Sequence, residues 1–373
     1  MSRFFDLVSR QVREMGGYAP APPAQPANGQ PQLIRLDSNE NPFGPSPKAV
    51  EAMRAALTST NAYPEDDCSP LRQKLAALHA LPVEQVLVTA GSTGMLALLC
   101  QTLLGPGLNA VTSERSFIVY GMATHAAGAQ LVTVPMREDG LDADALLQAI
   151  NEDTRIVFMA NPNNPTGTLL DAETIGRFLN ELPGHVVVVL DEAYYEFAAD
   201  FAARRKVTYS CSLPYLRQGA SVVVLRTFSK AHGLAGLRIG YGLGPAELLS
   251  YCSRLRSTFS VSSIAQAAAL AALEDRAHIA HTVANNSGQA QILGVALSEM
   301  GFRVVPTWAN FLYLDLGREA GEVAEKLRGE GISVRPLGAW GAPHGLRVTV
   351  GTAGQNQVFL GSMQKIVRAS LSG

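Results

Sequence analysis

Two ionisable residues stand where apolar runs of the sequence end. Asp191 follows the run VVVVL, and Lys230 ends the segment SVVVLRTFSK. Such runs are typical of strands buried on both faces, and a carboxylate at the end of one is costly unless another group pairs with it. Taken singly, Asp191 is more often a helix cap or salt-bridge partner and Lys230 a surface residue. Their neighbours therefore decide what chemistry they could do.

Hydroxyl groups and a guanidinium surround Lys230 in the sequence. Thr227 and Ser229 precede it, and Arg238 follows in the glycine-bearing loop AHGLAGLRIG. An arginine with nearby hydroxyl donors makes a good receptor for a dianion, because its planar fork forms charge-assisted hydrogen bonds. The segment therefore combines an amine with a predicted phosphate site.

Two further turns carry polar side chains. The turn GSTG puts Ser92 and Thr93 at the start of a predicted helix, where free backbone N–H groups bind phosphate. Many such turns begin helices without a ligand, so this one counts only together with the rest. The segment NPNNPTG, residues 161–167, follows the apolar run TRIVFMA, and its prolines and turn residues fix the direction of Asn164.

Together these residues meet the needs of an enzyme that uses pyridoxal 5′-phosphate (PLP). Such an enzyme requires a lysine that forms an imine with the cofactor, and a carboxylate that keeps the pyridine nitrogen protonated so that the ring can accept electrons. Lys230 and Asp191 supply both, and Asn164 and Tyr194, in the segment DEAY, would hydrogen-bond the phenolic oxygen of the ring. In an α/β enzyme without PLP, the pairing of Lys230 with Asp191 would be a coincidence. The predicted phosphate ligands are Ser92, Thr93, Thr227, Ser229 and Arg238.

The elements that must position these residues indicate an α/β fold. From residue 86 onward, short valine-rich runs alternate with glycine turns and helical stretches. Continuous apolar strands belong to a mostly parallel central sheet flanked by helices, and ligands of such sheets bind beyond the carboxyl ends of the strands. After about residue 260, an alanine-rich helical region leads to strands with a helix between them, which predicts a smaller α+β domain.

The sequence divides into three predicted parts. Residues 1–50 form an N-terminal arm that also contributes to the small domain, residues 51–260 the large cofactor-binding domain, and residues 261–373 the small C-terminal domain. The first fifteen residues predict a short amphipathic helix. Residues 16–31 are rich in proline and alanine, bury little, and are typical of an extended arm or linker.

Composition excludes several classes of partner. The formal net charge is −2 and the pI about 6.4, so no basic field points to nucleic acid. No apolar run has the length of a membrane span, and the N-terminus lacks the apolar segment of a signal peptide. The four cysteines are far apart and have no metal-ligand spacing, which predicts reduced thiols, no metal site and a cytoplasmic location.

The chain resembles the fold-type I PLP enzymes, the aspartate aminotransferase fold, over essentially its whole length. The motifs NPNNPTG, DEAYYEF and TFSKAHGLAGLRIGY carry this resemblance in that order. Within this superfamily the chain most resembles the histidinol-phosphate aminotransferases, on the further segments LDSNENPFGPSP, NAYPEDD and GLRVTVG. The resemblance implies a PLP-dependent aminotransferase of histidine biosynthesis, with a small-molecule amino donor and a 2-oxo acid as substrates.

The resemblance also implies roles for individual residues. Tyr63, in AYPE, would reach the cofactor phosphate of the other subunit, so that a homodimer shares its active sites. Phe117 would stack on the cofactor, although a core aromatic is its plainer interpretation. Arg347 would hold the substrate carboxylate and Arg335 the other anionic end of the substrate, unless Arg335 is simply a surface strand residue. Asn39, in SNEN, would line the mouth of the site.

Several alternatives remain open on the sequence. An aromatic amino-acid aminotransferase and a threonine-phosphate decarboxylase-like lyase share the same motif skeleton, and fold-type I domains also serve as effector-sensing modules of transcription regulators. The last would need an N-terminal DNA-binding domain, for which the residues before the core are too few and not basic. The chain departs from the family pattern at Thr93, where an acidic or amide residue is commoner, and at Arg115–Ser116, where Pro-Thr often precedes the stacking aromatic.

Overall fold

The structure is a computed structural model that describes residues 4–5, 7–15, 33–209 and 212–371. The arm predicted for residues 16–31 lies outside the described residues. A helix was predicted within the first fifteen residues, and helix α1 covers Arg10–Glu14 of them. The short strand β1 (Ile34–Arg35) follows the arm.

A seven-stranded sheet forms the centre of the larger part of the described chain. Its strands fall on the valine-rich runs of the sequence, and they are β2 (Val86–Thr89), β3 (Asn109–Ser113), β4 (Gln130–Val134), β5 (Thr154–Ala160), β6 (Val187–Asp191), β7 (Val222–Thr227) and β8 (Gly240–Leu243). Their order is β2-β8-β7-β6-β5-β3-β4, and all neighbours are parallel except β8, which is antiparallel to both β2 and β7. The prediction of a mostly parallel sheet is therefore confirmed.

Strand β8 was not predicted, because its sequence GYGL contains two glycines and glycine is depleted in strands. The reason for one of them is steric. A Cβ added at Gly240 would lie 2.6 Å from the backbone nitrogen of Ser92, since β8 passes close behind the GSTG turn. Glycine at this position thus lets the strand support a predicted phosphate-binding turn.

Helices cover both faces of this sheet. They are α2 (Pro47–Ala56), α3 (Ser69–His79), α4 (Gly91–Leu103), α5 (Val119–Ala126), α6 (Ala143–Gln148), α7 (Ala172–Glu181), α8 (Tyr195–Arg205), α9 (Ser212–Arg217), α10 (Ala246–Arg254) and α11 (Ser263–Glu274). Valines of the central strands, such as Val157, Val188 and Val224, are completely buried. Each contributes about 1.5–3 kcal/mol by leaving water.

The C-terminal part contains the strands β9 (Arg303–Val305), β10 (Phe311–Asp315), β11 (Ile332–Ser333), β12 (Arg335–Leu337) and β13 (Ala342–Thr349). Four of them form an antiparallel sheet in the order β12-β13-β10-β9, while β11 pairs in parallel with β1. The helices of this part are α12 (Arg276–Glu299), α13 (Ala320–Gly329) and α14 (Ala353–Leu371). The pairing of β1 with β11 joins the N-terminal segment to this C-terminal part.

The two cores meet near the predicted domain boundary. The alanines of α11, including Ala265 and Ala272, pack in the core of the large sheet, whereas α12 packs with the small sheet. The long helical region after residue 260 is therefore two helices, separated at Asp275, whose side chain caps the second by accepting the N–H of His278. The division at residue 260 stays a prediction.

The described cysteines are free and buried. Burial raises the pKa of Cys68 and of Cys100 to about 12, so neither thiol is reactive at neutral pH. In the ranges that the structure describes, no helix is both long and apolar enough to cross a membrane, and no cluster of three or more His, Cys, Asp or Glu side chains could bind a metal ion.

Candidate active site

A cleft of about 290 Å³ lies between the carboxyl ends of β5, β6 and β7 and the sheet of the small domain. Its position matches the rule for parallel sheets, whose ligands bind beyond the carboxyl ends of the strands. All the site residues predicted from the sequence line this cleft, with the exception of Tyr63. They are Asn39, Ser92, Thr93, Phe117, Asn164, Asp191, Tyr194, Thr227, Ser229, Lys230, Arg238, Arg335 and Arg347.

Lys230 reaches the cleft from the loop that follows β7. Its Nζ donates a hydrogen bond to the backbone carbonyl of Ser38, 3.0 Å away. Burial, with a smaller contribution from the guanidinium of Arg347, lowers the pKa of Lys230 to about 7. An appreciable fraction of the amine is therefore uncharged near neutral pH, and only the uncharged amine can attack a carbonyl or accept a proton.

Asp191 is the last residue of β6 and is almost completely buried. Burial raises the pKa of Asp191 to about 6, although two donors favour the carboxylate. The hydroxyl of Tyr120 donates to Oδ2 at 2.9 Å, and the backbone N–H of Ala193 donates to Oδ1 at 3.2 Å. A carboxyl group held in this environment gains stability when it meets a cation, such as a protonated pyridine nitrogen.

The predicted phosphate ligands form a cup at the start of α4. Nη2 of Arg238 lies 3.4 Å from Oγ1 of Thr93, its Nη1 lies 3.4 Å from Oγ of Ser229, and Thr227 Oγ1 donates to Ser229 Oγ at 3.0 Å. Gly91, with φ +75°, brings the turn so close that an added Cβ would lie 2.6 Å from Nη2 of Arg238. Hydroxyls, a guanidinium and a helix N-terminus thus converge on one point.

Asn39 and Tyr194 line the cleft and are linked by a hydrogen bond. Nδ2 of Asn39 donates to the hydroxyl of Tyr194 at 2.9 Å, and the backbone N–H of Asn39 donates to Oγ1 of Thr349 at 2.9 Å. Asn39 adopts a left-handed backbone conformation, φ 55°, which asparagine tolerates better than most residues. The ring of Tyr194 packs edge-to-face on Phe311. This network fixes the hydroxyl of Tyr194 in the cleft.

Two arginines lie side by side on the small-domain wall of the cleft. Arg335 and Arg347 are directly opposite each other in the antiparallel pair β12–β13, so their side chains project from the same face of the sheet. Nη1 of Arg347 donates to Oδ1 of Asn164 at 2.6 Å, and Nη2 donates to the carbonyl of Asp37 at 2.6 Å. Like charges opposite each other destabilise a sheet, so this pair points to an anionic ligand.

Phe117 lines the cleft just before α5. It packs edge-to-face on Tyr120, with ring centroids 5.6 Å apart, and Tyr120 in turn stacks on Phe158 at 4.6 Å. Phe117 therefore packs against the core and lines the cleft at the same time.

Tyr63 is the predicted site residue that the chain does not bring to its own cleft. Its side chain is 82% exposed and stacks on Phe259, with centroids 4.5 Å apart. Asp66 anchors this loop by accepting hydrogen bonds from Arg256 and from the backbone N–H of Phe259. An exposed, held aromatic is the expected arrangement if Tyr63 serves another subunit.

Several residues in the cleft or directly behind it were missed by the sequence interpretation. Tyr120, which bonds Asp191, stands three positions after Phe117, and this helical spacing could have pointed to it. Trp340 comes from a segment without a chemical motif, and Ser38, although it belongs to the segment LDSNENPFGPSP, contributes a backbone carbonyl that its residue type does not indicate. Only the tertiary fold brings them to the cleft, so no local signal could have found them.

A buried ion pair supports the strands behind the cleft. Glu192 and Arg226 follow or precede cleft residues by one position, so their side chains point to the other face of the sheet. Nε of Arg226 donates to Oε2 of Glu192 at 2.7 Å, and the guanidinium lies 3.3 Å from the ring centroid of Tyr195. The pair joins the carboxyl ends of β6 and β7, which carry Asp191 and Thr227.

The groups of the cleft fit PLP. The amine of Lys230 has a lowered pKa, the buried carboxyl of Asp191 favours a cationic partner, and the cup around Arg238 accepts a phosphate. These three requirements are met in one cavity, and the cradle at Gly91 leaves no room for a larger side chain. The fold and the site thus define a PLP-dependent enzyme.

Comparisons with known proteins identify the family. The model of the family "Aminotransferase class I and II" matches residues 31–363. The chain is 41% identical to histidinol-phosphate aminotransferase 2 of Pseudomonas fluorescens, strain Pf-5, over 98% of both chains. It is 42% identical to histidinol-phosphate aminotransferase 2 of Pseudomonas aeruginosa, over 98% of this chain and 99% of the relative.

A solved structure shows the same fold with the cofactor in place. The histidinol-phosphate aminotransferase of Sinorhizobium meliloti, in complex with pyridoxal 5′-phosphate, matches with a TM-score of 0.82 and 29% identity. The match covers 90% of this chain and 91% of the other. The chain belongs to the class I and II aminotransferase family, and it is a PLP-dependent aminotransferase.

Proposed function

We propose that the enzyme transfers the amino group of histidinol phosphate to 2-oxoglutarate, giving imidazole acetol phosphate and glutamate in histidine biosynthesis. The observation that carries this proposal is the pair Arg335 and Arg347 on one wall of the cleft. Two guanidinium groups suit substrates that carry a carboxylate in one half-reaction and a phosphate in the other. Two relatives that are 41% and 42% identical over nearly the full length are named histidinol-phosphate aminotransferase 2.

The residues that would hold the cofactor each have a separate task. Asp191 would hold the pyridine nitrogen, Asn164 and Tyr194 the phenolic oxygen, and Phe117 the face of the ring. When bound, PLP would supply a carrier for the amino group and an acceptor for the electron pair left by the α-proton. The phosphate would be held by Ser92, Thr93, Thr227, Ser229 and Arg238.

Lys230 is the proposed acid and base of the reaction. Its Nζ would take the α-proton of the substrate and later return a proton. The lowered pKa of Lys230, about 7, keeps the amine ready for both directions near neutral pH. Tyr120 holds the carboxylate of Asp191 in place through its hydroxyl, 2.9 Å from Oδ2.

Arg335 gives the sharpest test of the substrate. Replacing Arg335 with glutamine should raise the KM for histidinol phosphate about 10- to 100-fold, because a charge-assisted contact to phosphate is lost. The KM for phenylalanine, which carries no phosphate, should change little. Steady-state kinetics with both amino donors measures this difference.

The control for Arg335→Gln is Arg328→Gln, on the exposed face of α13 in the same domain. It should leave both KM values unchanged. Equal effects of Arg335→Gln on the two donors would favour the aromatic amino-acid aminotransferase. Carbon dioxide released from threonine phosphate would favour the decarboxylase-like lyase.

The enzyme is proposed to be a homodimer with shared active sites. Besides Tyr63, the described surface exposes Leu57, Leu255 and Phe259, large apolar residues close to each other in the sequence or packed on the same loop. An apolar surface of this kind marks protein interfaces. The cytoplasmic location stays a prediction from the use of cysteine.

Mixing two variants tests the shared site. Tyr63→Phe keeps the aromatic contact with Phe259 but should weaken cofactor binding about tenfold, because one hydrogen bond to the phosphate is lost. Lys230→Ala should be inactive by itself. When the two proteins exchange subunits, one site of each heterodimer regains both residues, so adding the inactive protein should raise activity at limiting PLP. No gain after exchange would mean that one chain builds the whole site.

A further inference from the structure

The departure from the family pattern at Arg115 lies at a contact between the two halves of the molecule. Nη1 of Arg115 is 3.0 Å from Oδ1 of Asp139, and Nη1 of Arg303 is 2.5 Å from Oδ2 of the same carboxylate. Arg303 also reaches Asp315, with Nη2 3.2 Å from Oδ2. Arg115 follows β3 of the large sheet, whereas Arg303 begins β9 of the small sheet. We call Arg115, Asp139 and Arg303 the interdomain latch.

Asp139 is suited to hold two guanidinium groups. Its side chain is only 10% exposed, and it lies in the turn after β4 with a left-handed φ of 60°. An isolated surface ion pair contributes almost nothing, but a carboxylate shared by two arginines and shielded from water is weakened less by solvent. The latch therefore has the geometry of a defined contact between the domains.

The latch lies next to Tyr313, which stands in one row across the small sheet with Arg347 and Arg335. The guanidinium of Arg115 also lies near the hydroxyl of Tyr313 on β10, where its charge opposes the rise that burial causes in the pKa of Tyr313. Tyr313 is the direct partner of Arg347 on β13, and Arg347 is the direct partner of Arg335 on β12. Directly opposed residues of antiparallel strands project from the same face, so these three side chains form one row.

A second route joins Arg115 to Arg347 through the large domain. The carbonyl of Arg115 accepts a hydrogen bond from Nδ2 of Asn163 at 2.9 Å, and Oγ of Ser116 donates to Oδ1 of Asn163 at 2.8 Å. The next residue, Asn164, accepts from Nη1 of Arg347 at 2.6 Å. Arg347 thus has Tyr313 of β10 as its neighbour in the sheet and a hydrogen bond to the NPNNPTG turn, and Arg115–Ser116 lies beside both.

We propose that Arg115 is a positioning residue, which acts through Tyr313 and Asp139 to place Arg347 and Arg335 for the anionic groups of the substrates. Arg115 does not line the cleft and touches no reacting atom. Its loss should therefore weaken substrate binding while leaving the chemical groups around Lys230 in place. The inference rests on the aminotransferase activity, and it does not depend on which amino donor is correct.

The test compares Arg115→Met with Arg137→Met. Arg137 also pairs with a carboxylate, Asp142 at 2.7 Å, but both belong to the large domain. Arg115→Met should raise the KM for 2-oxoglutarate and for the amino donor about tenfold, with kcat changed less than about threefold, since one indirect contact is lost. Affinity for PLP, measured by absorbance, should stay at the wild-type value. Arg137→Met should leave all three quantities unchanged.

Two further variants separate positioning from simple structural support. Asp139→Asn should reproduce the rise in KM, and the double variant Arg115→Met/Asp139→Asn should add little to either, because both act through one network. Arg115→Lys should recover part of the lost affinity. Unchanged KM values in Arg115→Met, or a fall in kcat and PLP affinity equal to the rise in KM, would overturn the proposal.

If histidinol phosphate is not turned over, the same comparison is made with 2-oxoglutarate and whichever amino donor the wild-type enzyme accepts. A tenfold rise in the KM for 2-oxoglutarate then supports the latch although the proposed donor has failed. Wild-type KM values in Arg115→Met with an accepted donor contradict the latch and leave the substrate assignment untouched.

Discussion

Replacing Lys230 with alanine is expected to lower kcat on the order of 10⁴-fold, because the enzyme loses the base that moves the α-proton. The variant should still bind PLP, since Asp191 and the cup around Arg238 remain. Reduction with borohydride should attach PLP covalently to the wild-type chain at Lys230 and should not attach it to the variant at any residue. Mass spectrometry of proteolytic peptides measures this difference without relying on activity.

The control for Lys230→Ala is Lys74→Ala. Lys74 lies on the surface, where its Nζ is 2.9 Å from Oε1 of Glu274, and it does not line the cleft. This variant should keep wild-type activity and covalent attachment at Lys230. Full activity of Lys230→Ala, or attachment of PLP to another lysine in the wild type, would contradict the role assigned to Lys230.

Replacing Asp191 with asparagine is expected to lower kcat on the order of 10³-fold. The neutral amide cannot stabilise a protonated pyridine nitrogen, so the electron pair from the α-carbon is accepted poorly. Asp191→Glu should retain more activity than Asp191→Asn. Glutamate keeps the negative charge, although its longer side chain shifts the position of that charge. Single-turnover rates with a saturating amino donor measure the chemical step directly.

The unfolding temperature of Asp191→Asn shows whether its lower rate comes from lost chemistry or from unfolding. Burial raises the pKa of Asp191 to about 6 in the fold, so the folded protein without PLP binds a proton that the unfolded chain releases between about pH 4 and 6. The contribution of Asp191 to stability therefore falls as the pH rises through this window. Asp191→Asn lacks this penalty, and its apoprotein should unfold at a temperature equal to or above that of the wild type at pH 7. A lower unfolding temperature would mean that the carboxylate is needed for the fold.

The large sheet could be predicted well from the sequence, because its parallel strands are buried on both faces and appear as continuous apolar runs. Strand β8 could not, since its glycines serve a close backbone approach behind Ser92 rather than a strand preference. The break at Asp275 was missed for a different reason: helical propensity continues on both sides of it, and its one local sign, the side chain of Asp275 that caps the second helix at the N–H of His278, was not used. Local preference does not encode a tertiary contact such as that of β8 with the turn at Ser92.

The candidate site was predictable where each residue stands at the end of a strand. Lys230, Asp191 and Asn164 follow apolar runs, and the topology alone brings the carboxyl ends of β5, β6 and β7 together. Arg335 and Arg347 rest on the family resemblance, because nothing local shows that β12 and β13 face the cleft. The link from Arg115 to Tyr313 joins residues almost two hundred positions apart, and no spacing in the sequence indicates it.

The most direct test of the central claim is the visible absorbance of the purified enzyme with PLP, titrated separately with histidinol phosphate and with phenylalanine. We expect a cofactor band that changes at low concentrations of histidinol phosphate and needs far higher concentrations of phenylalanine. A band that responds to phenylalanine alone would contradict the proposed substrate. A protein that shows no cofactor band after PLP is added would contradict the account of Lys230 and Asp191 as a whole.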